Sequence, residues 1–254
     1  MKHFESFKPD PAILADENLT ADYIALTQNP TYQKDPRWTN ESQKSELVKE
    51  YDLKFLRPYQ LKAIEALQNW ASGGKDRYLF EMATGTGKTL TCAAVIKLFL
   101  KTGNAKRVLF LVDRIELEDQ AAKNFKKWLS KDYTTVIYKE NRDDWRKAEI
   151  VVTTIQSLSS NSKYQKLFTP TDFDLIISDE AHRSIGGNSR AVFEYFVGYK
   201  LGLTATPRNY LKGIDLTKLN DKDPRAWERR QLLDTYTTFG CENGEPTFRY
   251  SLLD

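Results

Sequence analysis

The chain has 254 residues, 40% hydrophobic and 12% aromatic, enough for one large domain or a domain with an appendage. Its 38 basic residues nearly balance 35 acidic ones, so the formal charge of +3 argues against a dedicated nucleic-acid binder and makes any such contact local. No apolar run approaches the ~18 residues that a membrane span needs, and Cys92 and Cys241 form neither a metal spacing nor a disulfide framework, which points to a cytoplasmic protein.

Residues 1–52 are polar, with prolines at 9, 11, 30 and 36, and read as a lead-in or connector with one or two helical turns near residues 21–26. From residue 53 the pattern changes. Pro58 suits the first turn of a helix carrying Leu61, Ile64, Ala66 and Leu67. Strand-like runs then recur at 78–81 (YLFE), 107–112 (RVLFLV), 134–138 (TTVIY), 149–153 (EIVVT), 173–178 (FDLIIS) and 200–203 (KLGL). Helical patterns fall between several of them, at 88–101, 115–129 and 190–196. Apolar strands alternating with helices predict an α/β fold, a mostly parallel sheet with helices on both faces.

In such sheets ligands bind beyond the carboxyl ends of the strands. Three motifs fall there: ATGTGKT after the first run, DEAH after the fifth and TATP after the sixth. In the first, Thr84, Gly85, Thr86 and Gly87 form a turn whose N–H groups can cradle phosphates at the positive end of the following helix. Lys88 would reach the β- and γ-phosphates of ATP, and Thr89 would ligate Mg²⁺. A Gly-Thr-Gly turn can also join strand to helix without a ligand, but the order of strand, turn, Lys-Thr and helix favours the nucleotide. Asp179 would complete the Mg²⁺ contacts, and Glu180 would act as general base toward the attacking water. Alone, an Asp-Glu pair is an ordinary solvated turn; the phosphate loop upstream gives it a role. His182 and the hydroxyls of Thr204 and Thr206 are suited to couple the nucleotide site to neighbouring segments.

Together these motifs resemble the superfamily 2 helicases and translocases, in which the first glycine of the phosphate loop, here Met82, is commonly missing. The resemblance implies that residues 53–207 are the first of two RecA-like lobes of a P-loop NTPase motor, with 208–254 leading toward a second lobe. It also implies that Gln60 of LRPYQ contacts adenine. Arg114 of LVDRIEL, and Thr154 and Gln156 of TTIQSL, would grip the nucleic-acid backbone, contacts that position a strand without reading its sequence. DEAHRSIGG, GLTATP and DTYTTFGCENGEPTFRYSL are most similar to the motor subunit of type I restriction enzymes. That likeness implies ATP-driven translocation on double-stranded DNA and, in the full-length protein, modification and specificity subunits as partners.

Two features depart from that subunit. Residues 1–52 lack paired carboxylates with a nearby lysine of the kind a nuclease uses, and Asp10, Asp16, Glu17 and Asp22 read as scattered, solvated charges. The second lobe, which carries the arginine finger, would lie beyond Asp254, so this stretch is expected to bind ATP and hydrolyse it poorly. The alternatives are another DNA-repair or RNA helicase lobe, or a nucleotide-regulated interaction module without turnover.

Overall fold

The structure is a computed structural model that describes residues 8–140, 144–184, 186–209, 234–241 and 244–251. Much of the expected 208–254 segment, including 210–233, therefore lies outside the described residues. So do the first seven residues and Ile185 of DEAHRSIGG.

Among the described residues seven strands form one sheet: β1 (Arg77–Met82), β2 (Val108–Val112), β3 (Thr135–Ile137), β4 (Ile150–Thr154), β5 (Leu175–Asp179), β6 (Tyr199–Thr204) and β7 (Phe248–Tyr250). Their order is β3-β4-β2-β5-β6-β1-β7, and every pair is parallel. A parallel sheet sends each chain back by a crossover, so the carboxyl ends of all its strands share one edge. The loops after β1, β2, β4, β5 and β6 meet along it. The six expected strands are all present, within a residue or two of their anticipated limits.

The strands alternate between two cores. Val108, Phe110 and Val112 of β2 face one, and Leu109 and Leu111 face the other. This is the period-2 signature of a sheet covered on both sides. The helices, in chain order, are α1 (Pro11–Asp16), α2 (Tyr23–Gln28), α3 (Glu41–Glu50), α4 (Pro58–Ser72), α5 (Lys88–Lys101), α6 (Ile115–Leu129), α7 (Ile155–Ser159), α8 (Lys163–Leu167), α9 (Ala181–Ser184), α10 (Gly187–Tyr195) and α11 (Thr235–Thr238). Buried residues of α4, α5 and α6 fill the first core, and those of α7 to α11 the second. No helix of the described residues is long and apolar enough to cross a membrane.

Two findings differ from the sequence expectation. The N-terminal stretch packs onto the lobe: Leu14, Tyr23 and Ile24 lie in the same cluster as Ile64, Leu67 and Phe99. Gln68 donates to the carbonyls of Leu14 (2.8 Å) and Glu17 (3.0 Å), and Asn104 donates to that of Asp10 (2.9 Å). Its acids are not all merely solvated. Asp10 caps α1, Glu17 pairs with Lys101, and Asp22 accepts from the hydroxyls of Thr20 and Tyr32, while Asp16 is exposed. The ties from Gln68, Asn104 and Lys101 are invisible to composition because each joins residues more than fifty positions apart in the chain.

The second finding is β7. Phe248, Arg249 and Tyr250 pair in parallel with Phe80, Glu81 and Met82. Upstream of it, Phe239 is fully buried against Phe193, with ring centroids 5.3 Å apart, and lies over Gly202 of β6. A Cβ at Gly202 would stand 2.6 Å from the Phe239 ring, so only glycine admits this packing. Burying a phenylalanine contributes roughly 1.5–3 kcal/mol. The described residues of the 234–250 segment are thereby fastened to β6 through Phe239 and to β1 through β7.

Candidate nucleotide site

The phosphate loop runs from the end of β1 into α5. Gly85 and Gly87 both have φ 82°, in the left-handed region, and Gly87 caps α5. A Cβ at Gly85 would meet nothing within 4 Å, so the loop tip opens outward. From behind, the start of α4 holds the loop: the Tyr59 hydroxyl donates to the Thr86 carbonyl (2.8 Å), and the Gln60 amide donates to the Thr86 (3.3 Å) and Gly87 (3.2 Å) carbonyls. Because trans peptides are planar, turning those two carbonyls inward turns the N–H groups of Gly87 and Lys88 away from the protein. The loop thus presents donors at the positive end of α5, an arrangement suited to an anion. The Thr86 hydroxyl donates to the Ala83 carbonyl (2.7 Å), closing the loop on itself.

Lys88 reaches back to the Met82 carbonyl (3.3 Å), and its charge acts on Asp179 at the end of β5. Burial pushes the Asp179 carboxyl up to about 6; the neighbouring Glu180 charge adds to this, while the Glu180 N–H (3.0 Å to Oδ1) and Lys88 only partly offset it. Glu180 itself has φ 52°. A left-handed conformation costs a non-glycine residue on the order of 1 kcal/mol and here turns the chain sharply off the strand into α9.

The third motif joins the second directly. His182 Nδ1 lies 2.9 Å from the Thr204 hydroxyl and 3.5 Å from Glu180 Oε2, and the Thr206 N–H donates to the same hydroxyl (3.1 Å). Burial holds the His182 imidazole below its ordinary value; Glu180 opposes this, and Arg183 and Arg208 reinforce it. The ring is therefore neutral at neutral pH and carries one N–H.

The structure brings Lys88, Asp179, Glu180, His182, Thr204 and Thr206 to one edge of the sheet. Thr84 is exposed at the loop tip, and Thr89 is half-buried in the first turn of α5. Gln60 sits behind the loop, its carbonyl accepting from the Arg57 N–H (2.9 Å) while its amide serves the loop carbonyls. Of the expected backbone-gripping residues, Arg114 and Gln156 are exposed, whereas Thr154 is buried and its hydroxyl caps α7.

Three further residues of this edge had no assigned role. Tyr59 stacks on Tyr250 of β7, with centroids 3.9 Å apart and planes 7° from parallel. Asp113, beside Arg114, receives Gln156 and Arg183. A strand-end acid is a sequence-visible hint for Asp113; nothing local marks Tyr250.

The chain is similar in sequence to restriction-enzyme subunits and in fold to helicase and ATPase cores. The chain is 38% identical over 159 residues to the type I restriction enzyme EcoAI endonuclease subunit of Escherichia coli, a match covering 60% of this chain and 19% of that subunit. Against the EcoKI endonuclease subunit of E. coli K12 it is 32% identical over 203 residues, 77% of this chain and 16% of that one. The chain thus spans less than a fifth of these relatives' length. Among solved structures, the SWI2/SNF2 ATPase core of Sulfolobus solfataricus in complex with dsDNA (TM-score 0.54, 19% identity) and the Hef helicase domain of Pyrococcus furiosus (TM-score 0.51, 21% identity) share its fold, each over 73% of this chain and 37% of theirs. The family described as type III restriction enzyme, res subunit, matches residues 53–209; the chain belongs to that family and carries a RecA-like superfamily 2 helicase lobe resembling the endonuclease subunit of type I restriction enzymes.

Proposed function

We propose that this chain is the ATP-binding first lobe, residues 53–207, of an ATP-dependent double-stranded DNA translocase in a cytoplasmic restriction complex with modification and specificity subunits. Residues 208–254 would lead toward the second lobe. The observation that carries this reading is the meeting of three motifs: Lys88 acts on a half-buried Asp179, and His182 bonds Thr204 across to β6. The relatives are restriction subunits, and one neighbour of the same fold is a dsDNA complex.

The residues suit a nucleoside triphosphate with magnesium. The N–H groups of the loop and Lys88 would hold the β- and γ-phosphates, and Thr89 and Asp179 would hold the ion. Burial and the adjacent Glu180 charge disfavour the Asp179 carboxylate, and a nearby cation would offset that cost. When bound, magnesium supplies positive charge against the phosphate oxygens. Glu180 orients a water and takes its proton as the water oxygen attacks the γ-phosphorus and the bond to the β-phosphate oxygen breaks. Gln60 reaches the adenine edge by exchanging its bonds to the loop carbonyls, which ties base recognition to the order of the loop. The His182–Thr204 bond carries the state of the acidic turn to β6.

The test is equilibrium binding of a fluorescent ATP analogue with magnesium. Lys88→Ala should weaken it at least ~100-fold, since it removes a charge-assisted contact to phosphate. Glu180→Gln should leave it within about two-fold, because the base acts after binding. Unchanged binding in Lys88→Ala overturns the assignment.

A further inference from the structure

Beyond the nucleotide site, the edge of the sheet holds a second polar cluster centred on Asp113. Asp113 follows the last residue of β2, and its side chain is only 15% exposed. It is engaged from three elements: Arg183 of α9 forms an ion pair with Oδ2, Gln156 of α7 donates to Oδ1 at 3.2 Å, and Arg114 at the start of α6 stands 3.7 Å away. Asp113 and Arg183 also line a small crevice with Ser178 and Asp179, so the cluster adjoins the acidic turn. Within that turn the Arg183 N–H donates to the Glu180 carbonyl (2.8 Å).

Gln156 and Arg114 are the groups that the DNA reading assigns to the backbone of the nucleic acid. Both lean toward an internal anion, and the nearby Arg183 is neutralised by it. A carboxylate flanked by a guanidinium and an amide offers the same acceptor chemistry as a phosphate oxygen pair. We propose that Asp113 is a positioning residue that holds Arg183 and Gln156 in the place of a DNA phosphate. An incoming phosphate displaces it, and the freed Arg183 moves α9 and with it Glu180. This rests on the reading of the lobe as a DNA translocase and adds to it the route by which DNA reaches the acidic turn.

The experiment uses this chain and a fluorescent DNA duplex, with affinity measured by anisotropy across a salt series. Asp113→Asn keeps the acceptor for Gln156 and removes the charge. It should bind about three- to ten-fold more tightly near ~0.1 M salt, the effect of deleting one repulsive charge at contact range. The salt dependence should steepen by roughly 0.9 in slope, because Arg183 becomes an uncompensated cation, and a merely structural residue would not change that slope. Arg183→Gln, which leaves the carboxylate unpaired, should weaken binding about ten-fold or more and stands as the deciding variant if Asp113→Asn does not fold.

If the unaltered chain binds no duplex, the DNA reading falls and this inference with it. If the chain binds but a folded Asp113→Asn binds no more tightly, or Arg183→Gln binds as the unaltered chain does, the role of Asp113 is overturned and the DNA reading stands.

Discussion

Replacing Asp179 with asparagine should make the nucleotide-free protein more stable while removing its response to magnesium. The carboxyl is held at about 6 against an ordinary 3.8, with burial the main cause. A carboxyl raised in the folded state favours folding when protonated, so its contribution is fully present below about pH 4 and is lost as pH rises to about 6. At neutral pH the folded protein therefore carries a cost of about 3 kcal/mol, from a difference of about two in pKa at 1.36 kcal/mol each. Asparagine keeps an acceptor for the Glu180 N–H and lacks the charge. For a domain of this size the gain corresponds to a rise in melting temperature of roughly 6–12 °C near pH 7.5. The assay is thermal denaturation of both proteins between pH 4 and pH 8, comparing their difference at each pH. That difference should be largest above pH 6 and shrink toward zero near pH 4. Adding ATP with magnesium should raise the melting temperature of the unaltered protein and not that of the variant. A variant no more stable at pH 7.5, or a pH-independent difference, would refute the argument that Asp179 is a desolvated charge only partly compensated by its neighbours.

Other positions give sharper local tests. Gly87→Ala should lose nucleotide binding, since its Cβ would stand 2.7 Å from Gln60 Nε2 at a φ of 82° that alanine resists; nucleotide titration reads it. Phe239→Ala should cost about 3–5 kcal/mol in denaturant unfolding by emptying the space over Gly202. Thr204→Val removes the hydroxyl that His182 and the Thr206 N–H share and should cost about 1–3 kcal/mol, with ATP affinity within about two-fold. Tyr59→Phe deletes the bond to the Thr86 carbonyl but leaves the stack on Tyr250, so weakened nucleotide binding would trace to the loop carbonyl.

Local patterns carried the parallel sheet and the motif positions. Apolar runs of four to six residues flanked by glycines and charges suffice to specify strands buried on both faces, and the lysine-threonine after two glycines specifies a helix that begins at a phosphate loop. The contact of His182 with Thr204 also follows from position, because parallel strands bring the ends of β5 and β6 together whatever lies between them. What needed the tertiary structure were elements stabilised by distant partners. β7 is three residues long, and only the exposed edge of β1 makes Phe248–Tyr250 a strand. Leu14, Tyr23 and Ile24 belong to short apolar runs, 12–15 and 23–26, in a largely polar stretch, and are buried because α4 and α5 offer them a surface. Gln60 and Asp113 show the same limit at the site. Their chemistry is plain from residue type, but the direction each faces depends on backbone brought close by the fold: the loop carbonyls for Gln60, and α7 and α9 for Asp113. A side chain's charge is local, whereas its partner is set by packing across the whole sheet.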